Sequence, residues 1–397
     1  MKEALENLIE IKSGHSPSTF KLMPCGVIPY VKVEDMNNCA KYQTSSREYC
    51  EDIARSVPKG SIIFPKRGAA IMNNKVRITA VDICMDTNMM AIIPNESIES
   101  EFLYYTIGHE KLSRIADTST IPQINNKHIN PYKITVPPLP EQKAIADLLS
   151  TWDEAIEKTE RLIQAKEKQF GWLLRELISE PRNTQKDAKW KKVKLGEAGT
   201  PYSGLTSKNK DDFGAGKPYL PYLNVYQNFR VSTTQLDYVS IRENENQKLV
   251  QKGDVFFTVS SETADEVGIS SVLLEDLGEC YLNSFCFGWR PSSQELSSEY
   301  LQFYFRSAGF REQMKRLAQG ATRFNLSKTE LMKAYIRFPP LGEQQQISET
   351  LSSTQQEITL LKHLAEKYKT QKRGLMQKML TGIWRIKPEI INQYTEV

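Results

Sequence analysis

Two near-copies of one motif organise this sequence: "PPLPEQKAIADLL" at Pro137–Leu149 and "PPLGEQQQISETL" at Pro339–Leu351. The copies lie 202 positions apart, and the gap-free alignment of 136–178 with 338–380 contains twelve identical residues. At this composition chance would give only about two or three identities, so the pattern indicates an internal duplication.

Both copies predict a long amphipathic helix. A proline disfavours helical backbone in the residue before it, so each helix begins just after the Pro-Pro pair. From Ile145 and from Ile347 onward, apolar residues recur at spacings of three and four, which is the spacing of one helical face. Each helix would be roughly 55 Å long at 1.5 Å per residue. A single apolar stripe needs a partner, and the other copy is the nearest one.

Fainter matches precede each motif in the same order. "SEFLYYTI" resembles "SEYLQFYF", "KGSIIF" resembles "KGDVFF", and "SGHSPS" resembles "SGLTS". Short predicted strands and one predicted helix in each copy (99–116 and 297–318) indicate α+β domains. The predicted organisation is a domain at 1–137, a long helix at 138–180, a linker at 181–189, a domain at 190–338, a long helix at 339–382 and a tail at 383–397.

Composition sets only broad limits on function. The 397 residues suffice for two or three domains, and the net charge of +4 is weakly basic. No stretch approaches the length of a membrane span, and the N-terminus lacks an apolar signal core, so we expect a cytoplasmic protein. Six cysteines form no C-x-x-C pair and four histidines are scattered. We therefore expect reduced thiols and no metal site.

Catalytic motifs are missing from both copies. The [DNS]-P-P-[YFW] tetrapeptide of amino-methyltransferases does not occur. "DFGAGKP" (212–218) has the wrong glycine spacing and no Ser or Thr after its lysine, so we interpret it as a glycine-rich turn rather than a phosphate loop. "PEQK" (140–143) has a nuclease-like acid-x-Lys, but its counterpart is "GEQQ". We predict that the chain is not itself an enzyme.

The two PPLxEQ motifs, each opening a long apolar helix and each preceded by a globular region, carry a resemblance to a known family. Together with the "GATRFNLSK" stretch before the second motif, they resemble the specificity (S) subunit of Type I restriction-modification systems. The resemblance covers essentially the whole chain. "WKKVKLGEAGTPYSG" (190–204) is similar to the family's usual domain opening. The first copy lacks that opening, so we expect its N-terminal edge to be trimmed or reorganised.

The resemblance implies an architecture and a set of partners. Two target-recognition domains would each recognise one half of a bipartite site in double-stranded DNA. The two helices would pair as an antiparallel coiled coil with pseudo-twofold symmetry and set the spacer. Two methyltransferase (M) subunits would supply S-adenosylmethionine, and restriction (R) subunits would supply ATP and Mg. No cofactor is implied for this chain.

Candidate DNA contacts follow from residue chemistry, because phosphate and base-edge contacts need Lys, Arg, amide and hydroxyl groups on loops. We favour the loop after the "KG" strand and the stretch before each long helix. In the first domain the candidates are Lys66, Arg67, Gly68, Thr118, Ser119, Thr120, Gln123 and Asn125. In the second they are Ser260, Ser261, Gly320, Thr322, Arg323, Asn325 and Lys328.

The sequence also contains a row of basic residues, and three other functions are compatible with parts of it. Arg306, Arg311, Lys315 and Arg316 are expected to form a solvated helix face rather than a phosphate track. The same module could serve a Type IIB-like restriction-methylation enzyme, which gene neighbourhood would distinguish. A coiled-coil scaffold without a DNA role would not need duplicated globular domains. A single-chain methyltransferase is disfavoured by the missing tetrapeptide.

Overall fold

The computed structural model describes residues 2–119, 121–178 and 189–395. The two predicted long helices are present, as a first long helix at Leu139–Ile178 and a second long helix at Leu341–Leu380. The predicted linker lies outside the described residues except for Lys189. The prediction of mixed helix and sheet in two tandem domains, each followed by a long helix, is confirmed.

The remaining helices are short. In the first half of the chain they span Ala69–Met72, Ser100–Glu110, Leu112–Ile115 and Asn126–Ile129. In the second half they span Leu195–Ala198, Tyr222–Gln227, Ser298–Tyr304, Ala308–Leu317, Lys328–Leu331 and Pro388–Ile391. Single turns of 3₁₀ helix occur at Leu5–Asn7, Pro17–Thr19, Asp35–Asn38, Ile53–Arg55, Lys210–Asp212 and Asn392–Tyr394.

The described part of the first domain contains ten strands in three sheets. They are β1 Lys2–Ala4, β2 Ile9–Ser13, β3 Ile28–Val31, β4 Tyr42–Gln43, β5 Tyr49–Cys50, β6 Ile62–Pro65, β7 Arg77–Thr79, β8 Cys84–Met85, β9 Met89–Pro94 and β10 Lys133–Thr135. The largest sheet has the order β2-β9-β6-β7-β4, a second has the order β5-β3-β8, and β1 pairs with β10. Strand β6 is buried along its whole length, which explains its unbroken apolar sequence.

The second domain is built on a similar plan with eleven described strands. They are β11 Lys191–Lys194, β12 Gly199–Ser203, β13 Phe213–Leu220, β14 Asp237–Val239, β15 Val255–Thr258, β16 Ser260–Ser261, β17 Ser270–Val272, β18 Tyr281–Leu282, β19 Cys286–Pro291, β20 Phe324–Asn325 and β21 Tyr335–Phe338. The main sheet has the order β12-β19-β15-β17, a second has the order β14-β13-β18, and two further pairs are β11-β21 and β16-β20.

Three local predictions are wrong. Strand β1 pairs with β10 as β11 pairs with β21, and Leu5 N donates to Tyr132 O as Leu195 N donates to Ala334 O, each at 2.9 Å. The first domain therefore opens like the second, without reorganisation. The helix expected at 297–318 is interrupted because Ser307 has extended backbone and caps the next helix. The 212–218 stretch lies mostly within β13, where the pairing register shifts between Phe213 and Lys217.

The chain divides into two compact units, and both long helices contribute to each. One unit comprises Met1–Arg161 and His363–Val397, and the other comprises Leu162–Lys362. Each unit therefore holds one globular domain, the beginning of the helix that follows it and the end of the other long helix. This exchange of helix ends follows from the duplicated apolar stripes, since each stripe covers the other.

In the first unit the two helix segments run antiparallel. Glu160 pairs with Lys369 at 2.9 Å, and the earlier Asp153 pairs with the later Lys372. The rings of Trp152 and Tyr368, each next in sequence to a residue of these ion pairs, meet edge-on with centroids 5.6 Å apart. The domain's core is completed by buried residues of both segments, namely Ile145, Leu149 and Leu380.

The second unit contains the complementary segments. Lys166 pairs with Glu357 at 2.8 Å and Glu167 with Lys362 at 2.7 Å. Phe170 of the first long helix packs edge-on against Phe229 and Phe303 of the domain. Ile178, Ile347 and Leu351 are buried in the same core. In each unit, therefore, the domain is packed against both helices.

Candidate nucleic-acid interface

The two loops predicted as contacts in the first domain meet in the structure. Ile124 N donates to Lys66 O at 2.9 Å, and Gly68 N donates to Pro122 O at 2.8 Å. Arg67 pairs with Gln123 as an isolated antiparallel bridge. Loops about 55 residues apart in sequence thus form one surface, which places Lys66, Arg67, Gly68 and Gln123 together.

The rest of that surface lies around the paired residues Asp117 and Gln123. Asp117 and Gln123 exchange two backbone hydrogen bonds of 2.9 Å. Hydrogen bonds from Ser119 N and Oγ lower the pKa of Asp117, which is therefore ionised near neutral pH. Thr118 and Ser119 are exposed, whereas Thr120 lies outside the described residues. Asn125 immediately precedes the helix at Asn126–Ile129.

The charged groups of this surface differ in exposure. Burial lowers the pKa of Lys66, the charge of Arg67 lowers it further, and Asp86 opposes them. Lys66 is half-buried, whereas Arg67 is exposed. Because phosphate contacts need accessible cations, Arg67 is better placed than Lys66 to contact a phosphate group.

The second domain brings its two predicted loops together in the same way. Strand β16 pairs with β20, with Ser260 opposite Asn325. Leu326 N donates to Val259 O at 2.8 Å, and Asn325 exchanges backbone hydrogen bonds of 2.8 and 2.9 Å with Gln319. These bonds match those around Lys66 and Gln123 in the first domain, so both copies place the loop after the "KG" strand against the stretch before the long helix.

The predicted residues of the second domain occupy different places on this surface. Arg323 Nη2 donates to Ser260 Oγ at 3.3 Å, and Lys328 donates to Ser203 Oγ. Gly320, Thr322 and Asn325 are exposed. Gly320 has φ +131°, and a Cβ there would lie 2.1 Å from Arg323 O. Only glycine fits this turn, so Gly320 shapes the loop.

An open cavity of about 800 Å³ joins several of these residues to others that were not predicted from the sequence. The predicted ones are Ser260, Ser261, Thr322 and Arg323. The others are Tyr222, Leu223, Tyr226, Glu262, Glu266 and Phe285. The sequence shows apolar residues at 222–226 and at 285, but no sequence pattern links these distant segments. Only the fold brings them together at the cavity.

Two of the four basic residues expected to form a solvated face, Arg306 and Arg311, are instead structural, whereas Arg316 is exposed. Arg306 donates to the carbonyls of Ser270, Val225, Tyr226 and Asn228 at 2.7–3.0 Å. Arg311 donates to the carbonyls of Gly268, Asp265 and Val267 at 2.6–2.8 Å. Burial lowers the pKa of both arginines, that of Arg306 to about 10. For these two arginines the expectation was wrong, because their side chains satisfy loop carbonyls that would otherwise lack partners.

One glycine in each domain explains the shared "SG" dipeptide. A Cβ at Gly14 would lie 1.9 Å from Asp86 O, and one at Gly204 would lie 2.1 Å from Asn283 O. Both glycines allow the loop before β9 or β19 to approach the end of β2 or β12. That loop contributes Phe285 to the cavity of the second domain, whereas the first domain has Asp86 and Asn88, hydrogen-bonded at 3.0 Å.

The part of the chain that the structure describes lacks metal-binding clusters and membrane-spanning helices. No group of three or more His, Cys, Asp or Glu side chains is arranged to hold a metal ion there. None of the helices described is long and apolar enough to cross a membrane.

Comparisons with known proteins point in one direction. A family model described as the Type I restriction modification DNA specificity domain matches residues 1–167 and 187–369. A Methanocaldococcus jannaschii protein, provisionally named the type I restriction enzyme MjaX specificity subunit, is 25% identical over 90% of this chain and 88% of its own length. The MjaVIII specificity subunit of the same organism is 24% identical over 74% of this chain and 72% of its own.

A solved structure has the same fold. The S subunit of a Type I restriction-modification system from M. genitalium aligns with a TM-score of 0.58 and covers 96% of each chain, at 15% sequence identity. At that identity the structural likeness bears on the fold, while the family match rests on sequence.

Proposed function

Because the chain belongs to the family of Type I restriction-modification DNA specificity subunits, we propose that its two domains recognise the two halves of one bipartite site in double-stranded DNA. The domains are those predicted at 1–137 and 190–338. The single observation that supports this most strongly is the matched joining of two loops in both domains, through Lys66 and Ile124 in one and Val259 and Leu326 in the other.

The proposed DNA contacts lie on these joined loops. Arg67 and Arg323 are exposed cations on loops rich in hydroxyl and amide groups, which is the chemistry of phosphate and base-edge recognition. The net charge of only +4 leaves a share of the phosphate attraction to partner subunits. The proposed contacts are Lys66, Arg67, Gly68, Thr118, Ser119, Thr120, Gln123, Asn125, Ser260, Ser261, Gly320, Thr322, Arg323, Asn325 and Lys328.

The two long helices are proposed to set the spacing between the half-sites. Each has 40 residues, roughly 60 Å at 1.5 Å per residue, which exceeds one turn of DNA at about 34 Å. Each also contributes packed residues to both units, so a change of helix length would alter both. The ion pairs along the helices fix their register.

Catalysis is assigned to partner subunits rather than to this chain. Specificity subunits of this family work in complex with other subunits and DNA. We propose two methyltransferase subunits that bind S-adenosylmethionine and methylate adenine, and restriction subunits that bind ATP and Mg. In this arrangement the chain contributes DNA sequence selection and the framework for assembly.

The test is to co-express the chain with the methyltransferase gene beside it and to map methylated adenines genome-wide. We expect a bipartite motif with an unspecified spacer of fixed length. Replacing residues 190–337 with the matching domain of a relative should change one half of the motif only. A continuous motif, or a swap that changes both halves, would contradict the proposal.

A further inference from the structure

The cavity of the second domain has an apolar wall that the core does not require. Leu223 and Phe285 both line it, and each is 58% exposed. The rings of Tyr222 and Tyr226, which also line the cavity, stack with centroids 5.9 Å apart and planes 16° apart. In the major groove of DNA the apolar group presented by a base is the thymine methyl.

The tyrosine hydroxyls are already occupied. Tyr222 donates to Ser260 O at 3.2 Å, and Tyr226 donates to Glu266 Oε1 at 2.7 Å. These bonds hold the rings in place and leave the hydroxyls engaged with the protein. The tyrosines therefore give the cavity a fixed apolar lining.

Arg323 stands at the same cavity with free hydrogen-bonding capacity. One Nη atom donates to Ser260 Oγ at 3.3 Å. No acidic side chain pairs with Arg323 within the described ranges of the chain. A guanidinium has five N–H donors in a planar fork, so most remain for a ligand. Guanine O6 and N7 are the acceptors that such a fork most often contacts in DNA.

The charge of the cavity lining favours contact with base edges over contact with phosphate groups. Hydrogen bonds from Tyr226, Ser261 and Thr263 lower the pKa of Glu266, so this carboxylate is ionised near neutral pH. Glu262 is exposed at the same cavity and has no cationic partner among the described residues. Two carboxylates outweigh the single cation, Arg323, and a net negative lining disfavours a phosphate group.

On these grounds we propose that this cavity contacts the major-groove edges of a guanine and a neighbouring thymine. Arg323 donates to the guanine, and Leu223 and Phe285 contact the thymine methyl, while Glu262 keeps the DNA backbone away. This inference rests on the proposed function, since it names the bases that one of the two domains would select. The first domain has polar Asp86 and Asn88 at the loop that corresponds to Phe285, so its half-site should not share this step.

The experiment measures binding of the full chain, co-purified with its methyltransferase subunits, to duplexes that carry the methylated motif. In the half assigned to the second domain by the domain swap, each guanine is replaced with 7-deazaguanine and each thymine with uracil. We expect one 7-deazaguanine to weaken binding by roughly five- to a hundredfold. One uracil, which lacks only the methyl group, should weaken it by about fourfold.

Variants then assign each effect to a side chain. Arg323→Gln should abolish the 7-deazaguanine effect and keep the uracil effect, and Phe285→Ala or Leu223→Ala should do the reverse. Arg316→Ala, an exposed arginine that does not line the cavity, is the matched control and should keep both. Unchanged discrimination in the first half of the motif shows that each variant is folded.

Two results would overturn the inference while leaving the proposed function intact. One is a bipartite motif whose second half contains no guanine or no thymine. The other is an Arg323→Gln protein that keeps the wild-type response to 7-deazaguanine. By contrast, a wild-type complex with no bipartite specificity would contradict the proposed function itself, so the two failures are distinguishable.

Discussion

The two PPLxEQ motifs share their Glu and Gln residues, yet only the glutamine makes the same hydrogen bonds in both copies. Gln142 Nε2 donates to Ser97 O and Pro137 O at 3.0 and 2.9 Å, and its Oε1 accepts from Glu99 N at 2.8 Å. Gln344 Nε2 donates to Glu295 O and Pro339 O at 2.7 and 2.8 Å, and its Oε1 accepts from Ser297 N at 2.9 Å.

This shared bonding explains why the motif occurs twice. In each copy one buried glutamine joins the Pro-Pro segment, the helix start and the turn before a helix of the domain. All three of its polar bonds go to backbone groups, so the joint tolerates changes in neighbouring side chains. The motif therefore joins each globular domain to the long helix that follows it.

The glutamates differ because the first copy meets the C-terminal segment. Glu141 is 1% exposed and accepts from Arg385 Nε at 2.7 Å, from Arg385 Nη2 and from Ile386 N at 3.2 Å. Glu343 is half-buried, and no cation pairs with it among the described residues. The segment predicted as a tail is thus partly built into the first unit, and Tyr394 donates to Asp147 at 2.7 Å.

The largest expected effect tests the similarity of the copies. Gln142→Ala and Gln344→Ala should each lower the free energy of unfolding by about 3 kcal/mol, because three buried backbone groups lose their partner. Chemical denaturation followed by circular dichroism measures this. The exposed Gln345→Ala, next to the second site, is the control and should change little. Strongly unequal losses would break the proposed equivalence.

A smaller expected effect tests the difference between the two motif glutamates, Glu141 and Glu343. Glu141→Gln should lower the free energy of unfolding by about 2 kcal/mol, since Arg385 loses a charged partner at a buried position. Glu343→Gln should cost less than about 0.5 kcal/mol. The same denaturation assay applies, and equal effects of the two substitutions would show that the glutamates are equivalent after all.

The smallest expected effect is the pH dependence of the stabilisation that Glu141 provides. Hydrogen bonds from Arg385 lower the pKa of Glu141, with burial opposing. A carboxyl with a depressed folded pKa stabilises the protein above its unfolded pKa of about 4.3, and this contribution disappears as the pH falls through the folded value.

The difference in unfolding free energy between wild type and Glu141→Gln should therefore be constant near neutral pH and shrink below about pH 4.3. Denaturation curves from pH 7 to pH 3 measure it. In an Arg385→Ala background the shrinkage should largely vanish. A difference that grows on acidification would contradict the assigned role of Arg385.

Much of the candidate site was accessible from sequence because it repeats. The loop after the "KG" strand and the stretch before the helix were found in both copies, and the structure joins them through Gly68 and Pro122 in one domain. Phe285, Leu223 and Glu262 were not found. Their positions near Arg323 depend on strand pairings between distant segments, which no local pattern encodes.

The features that the sequence by itself determined are those that depend on residues close together along the chain. Helical periodicity and the Pro-Pro entry depend on neighbouring residues, so the two long helices and the duplication were readable without coordinates. Tertiary structure alone decided how polar side chains are used. Arg306 binds carbonyls instead of solvent, and Glu141 and Glu343 diverge, because the partner of a buried polar group is set by whichever distant segment packs against it.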